Sequence, residues 1–183
     1  MNSTLKRLNV ETLHDFLDYF DHRAFLRDTD WAGCYCQAYM HPPTTKEEDV
    51  FGPGKARQSA CDLVAKGKMD GYLAFQKGKV VAWCAAGNSK LYRALPEADD
   101  KLARIICFNV DPDMREQGIA SELLDLVLSD LGSRGFAAVE AAPSTAEASD
   151  RSFQGTIEMF EERGFEKITE INENQVLMRK HFD

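Results

Sequence analysis

Residues 105–120 carry the residue types and spacing best suited to binding an anion. They read IICFNVDPDMREQGIA, which is a strand-like apolar stretch, a proline turn and then Gly118 at the start of an apolar helical pattern. A helix start leaves backbone N–H groups without intrahelical partners and carries the positive end of the helix dipole, which favours a phosphate there. Because glycine has no side chain, it lets a ligand approach the backbone closely. The sequence therefore predicts a phosphate-binding loop.

Two nucleotide-binding motifs fit this loop less well. A Rossmann fingerprint needs three glycines after the first strand and an acidic residue about twenty positions later. The loop at residues 105–120 has one glycine, Gly118, and lies late in the chain. A Walker loop needs Gly-Lys-Ser or Gly-Lys-Thr, which the sequence lacks.

Glu140 is the candidate general base, because it interrupts an apolar strand-like run at residues 137–142. Strand alternation places Ala138 and Ala142 on its face, and these small neighbours leave room beside it. Partial desolvation there would make the carboxylate more basic. The alternative is a glutamate at a sheet edge, or one hydrogen-bonded to hold a neighbouring loop. Both interpretations stay open at this point.

Aromatic residues crowd an irregular segment that ends at Pro42 and Pro43. They suggest a pocket for an amphipathic or cationic acceptor, bound through aromatic faces. Its predicted lining is Trp31, Tyr35, Tyr39 and His41. A hydrophobic plug under the helices is the alternative.

The five cysteines are odd in number, lack CxxC spacing and come without secretory context, so we expect reduced thiols. Cys34, Cys36 and His41 give only a weak zinc signal, and we predict no metal site. Cys107 precedes the loop without a paired histidine nearby in the sequence. We therefore expect it to be a small buried hydrophobe rather than an acyl-carrying nucleophile.

Composition narrows the function further. With 183 residues, 44% of them hydrophobic, we expect one domain spanning 1–183. A net charge of −8 without basic blocks argues against nucleic-acid and membrane partners, and it would steer a cationic amine toward the protein. No signal core or long apolar run is present, so we expect a cytoplasmic protein. Nothing in the sequence excludes a homodimer.

Hydrophobic periodicity predicts the elements that position these residues. A helix begins near Leu13, and a glycine turn at Gly78 joins a strand hairpin. A strand, a helix from Gly118 and another strand follow in the order that implies a parallel pair joined by a helical crossover. A polar loop at 143–155, a short helix ending at Gly164 and two closing strands complete the chain.

Two motifs resemble the GNAT superfamily of acetyl-CoA-dependent N-acetyltransferases. Residues 110–120 are similar to that family's strand end, proline and pyrophosphate loop, and residues 161–165 resemble its late helix ending in Gly-Phe. The resemblance implies an α/β fold of the α+β type, with a mixed, mostly antiparallel twisted sheet flanked by helices and splayed near its middle. It further implies acetyl transfer from acetyl-CoA to a primary amine, by direct attack in a ternary complex.

The resemblance also implies which residues bind the donor. The pyrophosphate would be held by Arg115, Glu116, Gln117, Gly118, Ile119, Ala120 and Ser121. The backbone of Phe108, Asn109 and Val110 would pair with the pantetheine amides. We expect a small-molecule acceptor, because no further recognition module is visible in the sequence.

One position departs from the family pattern. The family often places a proton-donating tyrosine where this chain has Phe160. Another hydroxyl, such as that of Tyr35, Tyr39, Tyr72 or Tyr92, or else solvent, would then protonate the leaving thiolate. The departure also keeps open a second function, a non-catalytic sensor or interaction module that binds acyl-CoA.

Overall fold

The structure is a computed structural model that describes residues 3–26, 29–95, 99–145 and 153–182. The strands in these ranges are β1 (Thr4–Arg7), β2 (Tyr72–Gln76), β3 (Lys79–Asn88), β4 (Leu102–Val110), β5 (Ala138–Ala141), β6 (Glu166–Asn172) and β7 (Gln175–His181). The helices are α1 (Leu13–His22), α2 (Glu47–Phe51), α3 (Lys55–Ala65), α4 (Ile119–Ser133) and α5 (Ile157–Glu161). Within these ranges, no helix is long and apolar enough to cross a membrane.

The strands form one sheet of seven, in the order β1-β2-β3-β4-β5-β7-β6. Only β4 and β5 pair in parallel; the other neighbouring strands in this described sheet are antiparallel. Helix α4 connects the parallel pair, as the strand-helix-strand pattern predicted. The expected mixed, mostly antiparallel sheet flanked by helices is confirmed.

The sheet opens between β4 and β5, because the two strands pair over only part of their length. Pairing runs from Leu102 opposite Ala138 to Ile105 opposite Ala141, whereas β4 continues to Val110. At this point β4 carries a bulge: Ile105 and Cys107 pair with successive residues of β3, so Ile106 is extra. A bulge bends its strand and changes where the following side chains point. The second half of β4 is therefore paired with β3 alone.

Apolar layers cover both faces of the sheet. On one face, α4 buries Leu123, Leu124, Val127 and Leu131 against β3, β4 and β5. On the other face, α1 and α3 pack over a cluster centred on the fully buried Trp83. Gly118 is the N-cap of helix α4, and Gly135 follows its C-cap Arg134; both glycines adopt positive φ, so glycine sets the two ends of the helix.

Candidate functional site

A cleft with a volume of about 290 Å³ lies where β4 ends and α4 begins. Its other wall is the segment that leads into α5. Eight of the predicted donor-binding residues line it, namely Phe108, Val110, Arg115, Glu116, Gly118, Ile119, Ala120 and Ser121. Met114, Phe153, Gly155, Thr156 and Met159 complete the lining. Asn109 and Gln117, which were also predicted to contribute, are not part of it.

The loop before α4 has the backbone shape of an anion cradle. Glu116 and Gly118 both adopt left-handed conformations, with φ of 59° and 74°. A Cβ added to Gly118 would meet no atom within 4 Å, so the helix start faces open space. The N–H groups of the first turn of α4 have no intrahelical acceptor and lie at the positive end of the helix dipole. A phosphate group fits this position.

The open edge of β4 contributes two backbone groups to the cleft. The N–H of Phe108 donates to the carbonyl of Phe153 at 2.5 Å, and the Val110 carbonyl accepts from Nε of Arg115 at 3.4 Å. Asn109 lies on the other side. Its amide accepts from the hydroxyl of Tyr19 at 2.6 Å and donates to the Ala24 carbonyl at 3.2 Å. Alternation along the strand thus separates Asn109 from its two neighbours.

A second cavity, of about 160 Å³, adjoins the cleft. It is lined by Phe20, Phe25, Trp31, Cys34, Cys36, Ala38, Tyr39, Ile106, Cys107, Asn109, Phe153 and Gln154. Ile106 and Cys107 both reach it although they are consecutive, as the bulge in β4 explains. Phe153 lines both the cleft and the second cavity and so separates them.

Two of the four predicted acceptor residues, Trp31 and Tyr39, line the second cavity. Tyr35 instead packs on Phe20, with ring centroids 5.6 Å apart, and its hydroxyl donates to the carboxylate of Asp21. Burial and this carboxylate raise the pKa of Tyr35 to about 12. Tyr35 therefore fits the alternative interpretation, in which these residues form a hydrophobic plug under the helices.

His41 also lies outside the second cavity. Its Nε2 is 3.3 Å from Oε1 of Gln37 and 3.4 Å from Oγ of Ser59. Burial and the nearby charge of Arg93 lower the pKa of His41. These contacts tie the end of the irregular segment to α3, which indicates a structural role.

Three thiols, those of Cys34, Cys36 and Cys107, line the second cavity. Burial and the neighbouring Cys36 raise the pKa of Cys34 to about 11. The hydrogen bond to Cys107 and burial raise the pKa of Cys36, whose sulfur accepts from Nε1 of Trp83 at 3.0 Å. At neutral pH, Cys34 and Cys36 are therefore uncharged. Among the described residues, no group of three or more His, Cys, Asp or Glu side chains could hold a metal ion.

Glu140 has partners that the sequence analysis did not foresee. Its side chain is buried, and its two oxygens bind Nε of Arg104 at 3.1 Å and Nε of Arg179 at 3.1 Å. Both arginines face Glu140 directly across the sheet, one on β4 and the other on β7. Glu140 lines neither the cleft nor the second cavity. We therefore revise its assignment from general base to member of a buried ion-pair cluster.

Most of the candidate proton donors lie away from the second cavity. Phe160 is fully buried against Phe108 and Phe165, so the position of the family's tyrosine belongs to the core. The hydroxyl of Tyr72 donates to Asp130 and accepts from Arg134, and burial raises its pKa. Tyr92 is also buried. Of the four candidate hydroxyl groups, only that of Tyr39 belongs to a residue lining the second cavity.

Phe153 lines both spaces although its sequence neighbourhood predicts only a polar loop. The available signal was a lone aromatic residue two positions before Gly155 and three before Thr156, the N-cap of α5. The Thr156 hydroxyl accepts from the N–H of Met159 at 3.2 Å and so caps the helix. Gly155 has φ of 78°, and a Cβ there would lie 2.6 Å from Met159. These local requirements fix the chain beside Phe153.

Known proteins resemble this chain in both sequence pattern and fold. The family model described as Acetyltransferase (GNAT) family matches residues 34–165. No curated protein is similar enough in sequence to count as a match.

Solved structures match over nearly the whole chain. The ribosomal-protein-S18-alanine N-acetyltransferase from Escherichia coli superposes with a TM-score of 0.59 at 15% identity, covering 100% of this chain and 95% of its own. A ribosomal-protein-alanine N-acetyltransferase from Brucella melitensis gives 0.61 at 13% identity, covering 98% and 99%. The PaiA N-acetyltransferase from Thermoplasma acidophilum, solved in complex with coenzyme A, gives 0.56 at 12% identity, covering 100% of both chains.

Proposed function

The chain belongs to the GNAT acetyltransferase family, and from this premise we propose that it acetylates the primary amine of a small molecule. Acetyl-CoA is the acetyl donor of this family and supplies the reactive thioester. We further propose that residues 1–183 act as one catalytic domain, since both apolar layers are built on the same sheet.

The observation that carries the proposal is the cleft at the start of α4. Coenzyme A presents a pyrophosphate and an arm rich in amides, and the cleft offers a partner for each. The open helix start at Gly118 suits the pyrophosphate. The N–H of Phe108 and the carbonyl of Val110 suit the amides, which would extend the sheet as an added strand. Asn109, facing the other side, would take no part in that pairing.

Direct transfer between two bound substrates is favoured by the position of Phe153. The donor cleft and the second cavity meet at this residue, so substrates in the two spaces would have their reactive ends close together beside it. The chain would then accelerate the reaction mainly by holding thioester and amine together and by excluding water. Tyr39 is the hydroxyl we propose to protonate the departing thiolate.

The size of the second cavity supports a small acceptor. Its volume of about 160 Å³ is below the usual range of drug-sized ligand pockets, about 300 to 1,000 Å³. Trp31, with half its surface exposed, lies at its edge. A folded protein substrate could insert only one side chain there.

A second candidate function, an acyl-CoA-binding module without turnover, is favoured by one observation. Phe160 fills the position where a proton donor is common in the family, and its ring is in the core. Such a module would bind coenzyme A through the same cleft and release no thiol in the presence of amines.

Two measurements test the proposal. Calorimetric titration with coenzyme A measures donor binding, and free-thiol release from acetyl-CoA across a panel of primary amines measures turnover. We expect binding and amine-dependent release, with the Trp31→Ala variant raising KM for the amine but not for acetyl-CoA. Phe51→Ala is the matched control, since Phe51 is an exposed aromatic residue outside both spaces. Binding without release from any amine would favour the sensor, and absence of binding would contradict both functions.

A further inference from the structure

The lining of the second cavity has a distinct chemical character. Five aromatic rings contribute to it, those of Phe20, Phe25, Trp31, Tyr39 and Phe153. Phe153 contacts Phe25 and Trp31 edge-on, with ring centroids 5.9 and 6.4 Å apart. These three side chains form a continuous aromatic wall beside the donor cleft. Edge-to-face packing is the arrangement that aromatic rings prefer, so a further ring suits this wall.

Charge is absent from the described lining. None of its residues is Asp, Glu, Lys or Arg, and the polar amide of Asn109 already pairs with Tyr19 and Ala24. The thiols of Cys34 and Cys36 are protonated at neutral pH, because burial raises the pKa of Cys34 and the hydrogen bond to Cys107, with burial, raises that of Cys36. An ammonium ion entering this cavity would lose its hydration and gain only contacts with ring faces, because the described lining holds no counter-ion; this exchange is costly. A neutral ligand avoids that cost.

The volume suits a ligand with one ring. An engineered apolar cavity of about 150 Å³ in another protein binds benzene, and the second cavity measures about 160 Å³. A six-membered ring with a small substituent therefore fills the available space. Because Phe153 is the shared wall, a substituent directed toward it would point to the donor cleft.

From this aromatic, uncharged, ring-sized lining beside the donor cleft, we infer that the acceptor is a single-ring aromatic amine that enters in its neutral form. This inference rests on the proposed acetyl transfer and names its substrate class. A weakly basic aromatic amine keeps its lone pair free at neutral pH, so no base must first remove a proton. The lone pair forms the new N–C bond to the acetyl carbon, the C–S bond breaks, and the proton lost by nitrogen ends on the released thiol.

Such an amine needs no carboxylate base, and the described lining of the second cavity contains none. Glu140 is held by Arg104 and Arg179 away from both spaces. For a strongly basic aliphatic amine this arrangement is unfavourable, since its ammonium form must lose a proton before attack.

Aniline and cyclohexylamine provide a matched pair for the test. Each has one amine on a six-carbon ring, but aniline is aromatic and neutral at neutral pH, whereas cyclohexylamine is saturated and protonated. Benzylamine, which is aromatic and protonated, separates the two properties. We expect kcat/KM for aniline to exceed that for cyclohexylamine at least about tenfold, with benzylamine between them. Equal or faster acetylation of cyclohexylamine or of an aliphatic diamine would overturn the inference while leaving the proposed acetyl transfer intact.

Binding provides a readout that does not depend on turnover. We expect aniline titrated into protein saturated with coenzyme A to bind, Trp31→Ala to weaken that binding, and Trp31→Phe to restore most of it. Phe51→Ala should bind as the unaltered protein does. Absence of aniline binding would overturn the inference, whatever the activity. Aniline binding without thiol release from any amine would support the cavity assignment and contradict the proposed acetyl transfer.

Discussion

The backbone N–H of Phe108 donates to the carbonyl of Phe153 at 2.5 Å, across the gap where β4 has no partner in β5. Phe153 thereby occupies the position in which the donor's amide would pair with the strand. Its ring, packed against Phe25 and Trp31, helps to hold that carbonyl in place. Donor binding along β4, as we propose it, would therefore displace this hydrogen bond.

Replacing Phe153 with alanine is expected to tighten binding of coenzyme A by roughly fivefold, or about 1 kcal/mol. The reason is that the competing carbonyl loses the ring contacts that hold it. Water would also reach the thioester, because the wall between the cleft and the second cavity is removed. Calorimetry measures the first effect, and thiol release without amine measures the second. Unchanged or weaker binding, with Phe51→Ala as control, would contradict the role we assign to Phe153.

Gly118→Ala is expected to raise KM for acetyl-CoA by roughly tenfold. A Cβ at this position enters the open space at the helix start and strains a backbone with φ of 74°, at a cost of about 1 kcal/mol. Gly135→Ala is the matched control. Gly135 has φ of 79° and an equally open surrounding, but it lies at the other end of α4. Both variants should lose similar stability in urea titrations, and an equal rise in KM for both would show that Gly118 has no specific role in donor binding.

Glu140→Gln is expected to destabilise the protein by about 3 kcal/mol, because it removes the negative charge shared by the buried Arg104 and the partly exposed Arg179. The free energy of unfolding from urea titration measures this. The exposed Glu170, paired with Lys167, gives a control in which Glu170→Gln should change stability little. We expect the pH dependence of kcat/KM to keep its shape in Glu140→Gln. Loss of the acidic limb without loss of stability would restore Glu140 as the general base.

Tyr35→Phe is expected to change the alkaline unfolding of the protein. Burial and Asp21 raise the pKa of Tyr35 from 10.0 to about 12, so its stabilising contribution is complete below pH 10 and is lost as the pH rises to about 12. The unaltered protein should therefore lose more stability than the variant over this interval. Urea titrations at successive pH values test this. Parallel stability curves from pH 10 to 12 would contradict it.

Much of the fold follows from local sequence signals. The helix from Gly118, the hairpin around Gly78 and the late helix ending at Gly164 all have glycines at defined turns and apolar residues at regular spacing. Each signal lies within one element or its immediate neighbours. The strand-helix-strand order then predicts that β4 and β5 pair in parallel, because a helical connection of that length is typical of parallel neighbours. The proposed donor cleft belongs to this group, since nine of its thirteen lining residues come from the continuous stretch 108–121.

The sequence by itself thus determined the family, the order of elements and the loop that borders the proposed donor cleft. Only the tertiary structure decided the partners of Glu140, because Arg104 and Arg179 lie on strands brought beside β5 from distant parts of the chain. It likewise decided that Phe153 meets Phe108 and that Trp31 and Tyr39, but not Tyr35 and His41, line the second cavity. Such contacts depend on strand register and on the β4 bulge, which no local pattern encodes.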